Sequence, residues 1–250
     1  MSKEGKDFLK DSIRKKVDFS MTDQSRGLEP PSIEKPPHSK AIRIDLIKPG
    51  EWKNIYGVSI EKAIAERKSR RRYTEDALSL EELSFLLWAT QGMRNEKAVR
   101  YNFRTVPSAG CRHALETYIA VFRVKGLLKA IYRYLPISHQ LIEYITYENL
   151  ETLISRAALN QIFAGKSAVT FIWTTIPERM EWRYAQASYK VIALDAGHVC
   201  QNLYLACEAI GAGTCAIAAY DQKFADYVLE LDGDKEFTIY MASVGKKIHQ

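Results

Sequence analysis

Long apolar runs are missing from this sequence, and that absence excludes two classes of protein. No segment approaches the roughly 20 consecutive apolar residues that a helix needs to cross a bilayer. The N-terminal stretch MSKEGKDFLKDSIRKKVDF mixes charges of both signs and lacks the apolar centre of a secretory signal. We therefore expect a cytoplasmic protein with no membrane partner.

Cysteine is also scarce, and its spacing argues against disulfides and metal sites. None of the four cysteines forms a C-x-x-C pair; they are Cys111, Cys200, Cys207 and Cys215. We expect reduced, buried thiols and no metal, with a reactive thiol at Cys111 as the less favoured alternative. The five histidines are scattered, so no catalytic triad is expected, and His198 is interpreted as a structural core residue.

The charge balance is only modestly basic, but it is concentrated in one place. The chain has 36 basic and 30 acidic residues, a net charge of +6, which is small for a dedicated DNA-binding protein. Five of the six residues in 67–72 are nevertheless basic. Taken alone, such a run is typical of a solvated face, and a basic nucleic-acid or anion-binding protein stays open as the non-enzyme alternative.

The 250 residues suffice for a folded domain preceded by an arm. We assign residues 1–50 to a charged, proline-rich arm, with a short helix up to about residue 26 and a strand or surface strap at 41–46. Four of the eight prolines lie in RGLEPPSIEKPPHSK, which predicts an extended segment. Residues 51–250 form the predicted domain.

Within that domain, helices and strands interleave without a strict βαβ repeat, which favours an α+β fold. A helix is predicted to start at Ser59, and another at Ser79, where Glu82 completes a capping box, ending at Gly92. Residues 150–165 predict a further helix, and residues 195–210 predict a central helix buried on all sides that ends in a Gly-Ala-Gly turn. Strands are predicted at 115–124, 167–176 and 236–245.

Four segments, in this order, resemble the nitroreductase family of flavin enzymes. They are RKSRRRY with LSLEELSFLLWATQG, then RTVPSAGCRHALETYIAV, LDAGHVCQNLYLACEAIGAGT and AIAAYDQ. RTVPSAG and YRYLP are similar to the SagB-type dehydrogenase branch. The resemblance implies an α+β nitroreductase fold, with a mostly antiparallel sheet flanked by helices, in an intertwined homodimer that binds FMN at its interface.

The basic run suits a flavin because FMN needs a cation at its phosphate and another beside its ring. Alternate residues of an extended segment point the same way, so Arg67, Ser69 and Arg71 can face one ligand. The resemblance implies that Arg67 and Ser69 hold the phosphate or ribityl end. It implies that Arg71 lies near the pyrimidine edge of the ring.

Two further segments are implied by the resemblance to contact the flavin. Pro107, Ser108 and Ala109, in the turn PSAG (residues 107–110, the PSAG turn), are expected to pack on the ring, typically from the partner subunit. The backbone of Ile217, Ala218 and Ala219 is expected to pass N5 and O4 of the ring. Lys246 is a candidate for the phosphate. No catalytic side chain is expected, because hydride transfer is the chemistry of the cofactor.

The resemblance leaves two activities open. One is ping-pong reduction of nitroaromatics, quinones or similar electrophiles by NADH or NADPH, for which no dinucleotide-binding fingerprint is needed. The other is the SagB-type oxidation of azoline rings in a modified peptide. That reaction is expected to use a Lys-Tyr pair, and this chain has Arg183-Tyr184, in which arginine is a poor base. Tyr184 and Tyr189 are the candidate substrate-side residues.

Overall fold

One antiparallel sheet organises the chain in the computed structural model, which describes residues 3–94 and 103–248. Its strands are β1 (Arg43–Asp45), β2 (Leu115–Val121), β3 (Ala130–Leu135), β4 (Gln140–Ile145), β5 (Val169–Thr175), β6 (Ala212–Ile217) and β7 (Phe237–Lys246). Their order is β1-β4-β3-β2-β5-β7-β6, and each neighbouring pair runs antiparallel. The predicted α+β class and the predicted strands are confirmed.

Helices cover both faces of this sheet. They are α1 (Lys3–Leu9), α2 (Ile60–Glu66), α3 (Leu80–Gln91), α4 (Leu150–Ala157), α5 (Ile162–Gly165), α6 (Glu178–Tyr184), α7 (Ser188–Ala209) and α8 (Gln222–Val228). The predicted capping box is present, since the Glu82 amide donates to Ser79 Oγ and the Ser79 amide donates back to Glu82. No helix in the two described ranges is both long and apolar enough to cross a membrane.

Two helix predictions were too long. In the described part of residues 1–26, only α1 is α-helical, and two short 3₁₀ turns follow it at Ser12–Lys15 and Phe19–Met21. The helix predicted at 150–165 is divided between α4 and α5. Leu159 and Asn160 adopt φ values of 53° and 60°, a left-handed conformation that breaks a right-handed helix.

The prediction for α7 was wrong in extent and in burial. The helix begins at Ser188, before the predicted start at residue 195, and it buries one face against the sheet and α3. A stripe on its other side is exposed: Ala193, Leu194, Gly197, His198 and Gln201. His198 is therefore not a core histidine. Because Ala193, Leu194 and Gly197 give the exposed side apolar residues as well, composition could not identify the covered side of α7.

Three strands were not predicted. β3 and β4 form a hairpin where the sequence had suggested only the motif YRYLP. The Gly-Ala-Gly segment is also more than a turn. Gly211, at φ 64°, follows the end of α7, and the next residue already begins β6.

The arm follows an extended path, as predicted, but it is bound to the domain. Arg133 in β3 donates hydrogen bonds to the carbonyls of Lys35 (2.7 Å) and Pro36 (3.1 Å). Arg104 donates to the carbonyl of Ile33 at 2.9 Å, and the Lys35 ammonium pairs with Glu236 at 2.6 Å. Buried cations therefore hold the proline-rich segment on the sheet. The boundary at residue 50 between an arm and a domain stays a prediction.

Candidate functional site

The basic segment, residues 67–72, lies along β6, which is the strand at one edge of the sheet. Ser69 forms a parallel bridge with Thr214, and the Arg70 amide donates to the Thr214 carbonyl at 2.9 Å. Arg70 packs on Gly213 and forms an ion pair with Glu208 at 2.9 Å. One of the five cations thus has a structural role, because it ties the segment to α7.

Three residues of this segment are predicted to contact FMN, and they lie beside aromatic side chains. Ser69 Oγ is 2.8 Å from Tyr204 Oη, and the Arg67 guanidinium lies 5.5 Å from the centre of the same ring. The Arg71 guanidinium lies 5.8 Å from the Phe163 ring. Both Arg67 and Arg71 are exposed. Neither forms an ion pair with a carboxylate in the described ranges, so their charges are available to an anion.

Ser69 and Arg71 both lie close to the thiol of Cys215. Burial raises the pKa of this thiol, while the charge of Arg71 and a hydrogen bond from Ser69 oppose the rise. All four cysteines are free, as predicted, and three are buried. Cys111 is only partly buried, because it lies next to the PSAG turn, and the expectation of full burial was wrong there.

Tyr204 is the residue of this group that the sequence analysis missed. Its hydroxyl accepts a hydrogen bond from the Ala216 amide at 3.0 Å in addition to its contact with Ser69. Tyr204 and Glu208 are four residues apart on α7, so they share a face and contact the basic segment at successive positions. An isolated tyrosine in an apolar helix, with its polar end unaccounted for, was the signal available in the sequence.

The segment after β6 leaves its backbone accessible. Ile217 is buried, whereas Ala218 and Ala219 are exposed, and the Ala219 carbonyl accepts a hydrogen bond from Gln161 Nε2 at 2.9 Å. Lys246 lies at the other end of β6, opposite Ala212.

Lys246 already has two partners there. Its ammonium forms an ion pair with Glu82 and donates to the Ile210 carbonyl at 3.0 Å. A role for Lys246 at a phosphate stays a prediction.

The PSAG turn is fixed to the first half of α7. The Ala109 amide donates to Asp195 Oδ1 at 3.3 Å, and Ser108 Oγ accepts from the His113 amide at 2.9 Å. Burial raises the pKa of Asp195, and its hydrogen bonds from Ser108 and Ala109 oppose the rise. Gly110 has φ 58°, and a Cβ there would lie 2.6 Å from Tyr184 Oη, so a side chain at this position would displace Tyr184 and Arg183.

Within one protomer, the two groups of predicted contacts are separate. Asp195 and Tyr204 are nine residues apart on α7, which corresponds to about 13 Å along the helix axis. The structure therefore places Arg67, Ser69 and Arg71 along β6, with Arg67 and Ser69 at Tyr204 and Arg71 at Phe163, whereas Pro107–Ala109 lie at another position along α7.

Comparison with known proteins identifies sequence relatives. The model described as the Nitroreductase family matches residues 64–246. A protein of Methanocaldococcus jannaschii that is named a nitroreductase is 31% identical over 195 residues, covering 78% of this chain and 94% of its own length. The trifolitoxin-processing protein TfxB of Rhizobium leguminosarum bv. trifolii is 28% identical over 134 residues. That match covers 52% of this chain and spans only 36% of TfxB.

Solved structures share the fold. A nitroreductase structure from Ralstonia eutropha has a TM-score of 0.70 at 22% identity and covers 89% of this chain and 99% of that chain. A chain of the Escherichia coli microcin synthetase McbBCD complex, with truncated pro-MccB17 bound, gives 0.63 at 20% identity, over 82% and 78%. A structure from Exiguobacterium sibiricum in complex with FMN gives 0.56 at 15% identity, over 79% and 92%. The predicted fold is confirmed.

Proposed function

Because the chain belongs to the nitroreductase family, we propose that it is an FMN-dependent oxidoreductase. The observation that carries this proposal is the position of Arg67, Ser69 and Arg71 along β6, with both guanidinium groups exposed and free of carboxylate partners in the described ranges. Unpaired cations beside a hydroxyl and an accessible backbone fit a phosphorylated, ring-bearing ligand. The FMN complex of the Exiguobacterium sibiricum protein supports the choice of flavin.

Each residue of the site has a definite task in this proposal. Arg67 and Ser69 bind the phosphate or ribityl end of FMN, and Arg71 places a positive charge at the ring, where it favours the reduced form. The backbone of residues 217–219 orients the reactive edge of the ring, since its small side chains allow a close approach. Pro107, Ser108 and Ala109 cover the ring from the partner. The cofactor supplies the hydride transfer itself.

We further propose that NADH or NADPH is the electron donor and that nitroaromatics, quinones or similar electrophiles are the acceptors. Purified protein supplied with FMN should absorb near about 450 nm, and anaerobic NADH or NADPH should bleach that band. Addition of a quinone should then restore it. Protein that retains no flavin after reconstitution with excess FMN contradicts the proposal.

A second candidate activity is oxidation of azoline rings in a modified peptide, and one contact favours it. The Arg183-Tyr184 pair, at the sequence position where that chemistry is expected, lies against Gly110 of the PSAG turn. The similarity to TfxB and to the McbBCD chain points the same way. Arginine stays protonated, so Tyr184 is the residue left to handle a proton. If neither NADH nor NADPH bleaches the bound flavin but an azoline peptide does, the azoline oxidation is the activity of this protein.

The homodimer is part of the proposal because a complete site needs both groups of contacts. The exposed stripe on α7 supports it. Leu194 is 53% exposed in the isolated chain, and the neighbouring small residues at 193 and 197 allow a second helix to approach closely. Light scattering should give twice the 28.5 kDa mass of the chain. A monomer that binds FMN fully would contradict this arrangement.

A further inference from the structure

A group of arginines lies beside the PSAG turn, and the proposed flavin contacts do not use it. Arg112 stacks on Trp182, with its guanidinium carbon 4.5 Å from the ring centre, and its Nε donates to the Arg179 carbonyl at 2.9 Å. The Arg183 side chain packs against the backbone of Gly110. The Arg183 guanidinium lies 5.6 Å from the ring centre of Tyr184.

Arg14, from the N-terminal arm, completes the group. Its guanidinium lies 5.7 Å from the Tyr184 ring, on which Arg183 also lies. We call Arg14, Arg112 and Arg183 the arginine cluster. Three separate segments, the arm, the PSAG turn region and α6, thus place guanidinium groups around Trp182 and Tyr184.

The positive charge of the cluster is largely uncompensated. In residues 3–94 and 103–248, neither Arg112 nor Arg183 forms an ion pair, and Arg112 Nη2 is buried with no hydrogen-bond partner. Burial lowers the pKa of Arg112, and the nearby charge of Arg183 lowers it further. Arg14 alone has a carboxylate, Asp11, at 3.0 Å.

Three nearby carboxylates have partners outside the cluster. Glu116 pairs with Arg179, Asp195 accepts from the Ala109 amide, and Glu181 interacts with Tyr189. Like charges held together in a partly buried place destabilise the protein unless an anion joins them. Within the described residues, the cluster therefore has one buried donor without a partner and a single carboxylate, Asp11, for its three guanidinium groups.

A cavity of about 610 Å³ is lined by residues that are close in sequence to Arg14 and Tyr184. Its lining includes Ile13, next to Arg14, and Ala187, three residues after Tyr184, and it adds the cations Lys16 and Lys190. Asp7 is the acidic residue in that lining. The cavity gives space for a ligand that is larger than a single ion.

We propose that the arginine cluster binds the oxyanion, carboxylate or phosphate, of a molecule that reacts at the PSAG turn. Planar guanidinium groups bind both anions through paired hydrogen bonds. The inference rests on the proposed function, because the PSAG turn is where the ring of FMN is expected. Two sources carry this chemistry: an acidic group on the electron acceptor, and the 2′-phosphate that distinguishes NADPH from NADH.

The test compares matched anionic and neutral ligands by calorimetry. The first pair is 4-nitrobenzoate and its methyl ester, and the second is NADP⁺ and NAD⁺. The anionic member of one pair should bind more tightly, and Arg183→Gln should weaken its binding about 10-fold, as expected for loss of a hydrogen bond to a charged group. The neutral member of that pair should bind to Arg183→Gln with the same affinity as to the wild type. Arg14→Gln, at a more exposed site, should weaken binding in the same direction.

Arg156→Gln is the control. Arg156 also stacks on an aromatic ring, that of Phe224 at 4.1 Å, and its replacement removes the same charge from a position outside the arginine cluster. A loss confined to 4-nitrobenzoate assigns the site to the acceptor, and a loss confined to NADP⁺ assigns it to the donor. Equal affinity for both members of each pair overturns the proposal. FMN content is measured separately by absorbance, so a failure to bind flavin is distinguished from a failure to bind the anion.

Discussion

Replacing Glu116 by glutamine is expected to lower the free energy of unfolding by about 3–5 kcal/mol, the usual cost of removing one partner from a buried ion pair. Glu116 is 3% exposed and lies between two buried arginines. Arg179 donates to Oε1 at 2.6 Å and Arg133 donates to Oε2 at 3.3 Å. The Lys35 amide adds a third hydrogen bond at 2.8 Å. Glutamine keeps the shape but leaves two buried cations without a counter-charge.

Chemical denaturation measures this effect, and Glu75→Gln provides the control. Glu75 also pairs with an arginine, Arg123 at 3.3 Å, but its side chain is 87% exposed. Water screens that pair, so its loss should cost less than about 1 kcal/mol. Equal, small changes in both variants would show that the buried network does not stabilise the fold.

The same carboxylate should make stability depend on acid pH. Burial alone would raise the pKa of Glu116, but Arg179 and Arg133 outweigh burial and hold it below the ordinary value of 4.5. A depressed pKa means that the unfolded chain binds the proton more tightly than the folded chain. The stabilisation is therefore complete above pH 4.5 and is lost as the pH falls through the lower, folded value.

The difference between the wild type and Glu116→Gln should accordingly narrow as the pH falls below about 4. Taking that difference cancels carboxyls that do not interact with Glu116, such as Asp195, whose pKa burial raises. A difference that stays constant from neutral pH to pH 3 would contradict the assignment.

The buried network also explains why part of the fold was not predicted from the sequence. Capping signals and β-branched runs are local, and they correctly predicted α3 and β5. The strand β3, AIYRYL, carries Arg133, which is typical of a surface position, and yet all six residues are buried. Partners from other segments, Glu116 and the carbonyls of Lys35 and Pro36, make that burial tolerable, and a local pattern does not contain this information.

The candidate site likewise has one part that the sequence can predict and another part that it cannot. The alternation of Arg67, Ser69 and Arg71 follows from the geometry of an extended chain, so the sequence could predict it. Tyr204 and the arginine cluster depend on which helix faces meet and on where the arm lies. Those contacts are set by tertiary packing, and spacing along the chain did not indicate them.

Removing the Arg67 side chain is expected to weaken FMN binding about 10- to 100-fold, because a guanidinium–phosphate contact contributes roughly 1.5–3 kcal/mol. Arg71→Ala should weaken flavin binding or lower the flavin potential, since a cation beside the ring stabilises its reduced form. Fluorescence titration gives the affinity, and a redox titration against reference dyes gives the potential. Unchanged affinity and potential in Arg71→Ala would show that the ring lies elsewhere.

Arg72→Ala is the matched control, because it removes the same charge from the next, exposed position of the same segment. If the segment holds one ligand through alternate residues, Arg72→Ala should retain flavin while Arg67→Ala loses it. If all these variants weaken binding equally, and binding falls steeply with added salt, the run acts through its summed charge, as in a nucleic-acid or anion-binding protein. Alternation and salt dependence therefore separate a built flavin site from a basic surface, because only the former depends on which arginine is removed.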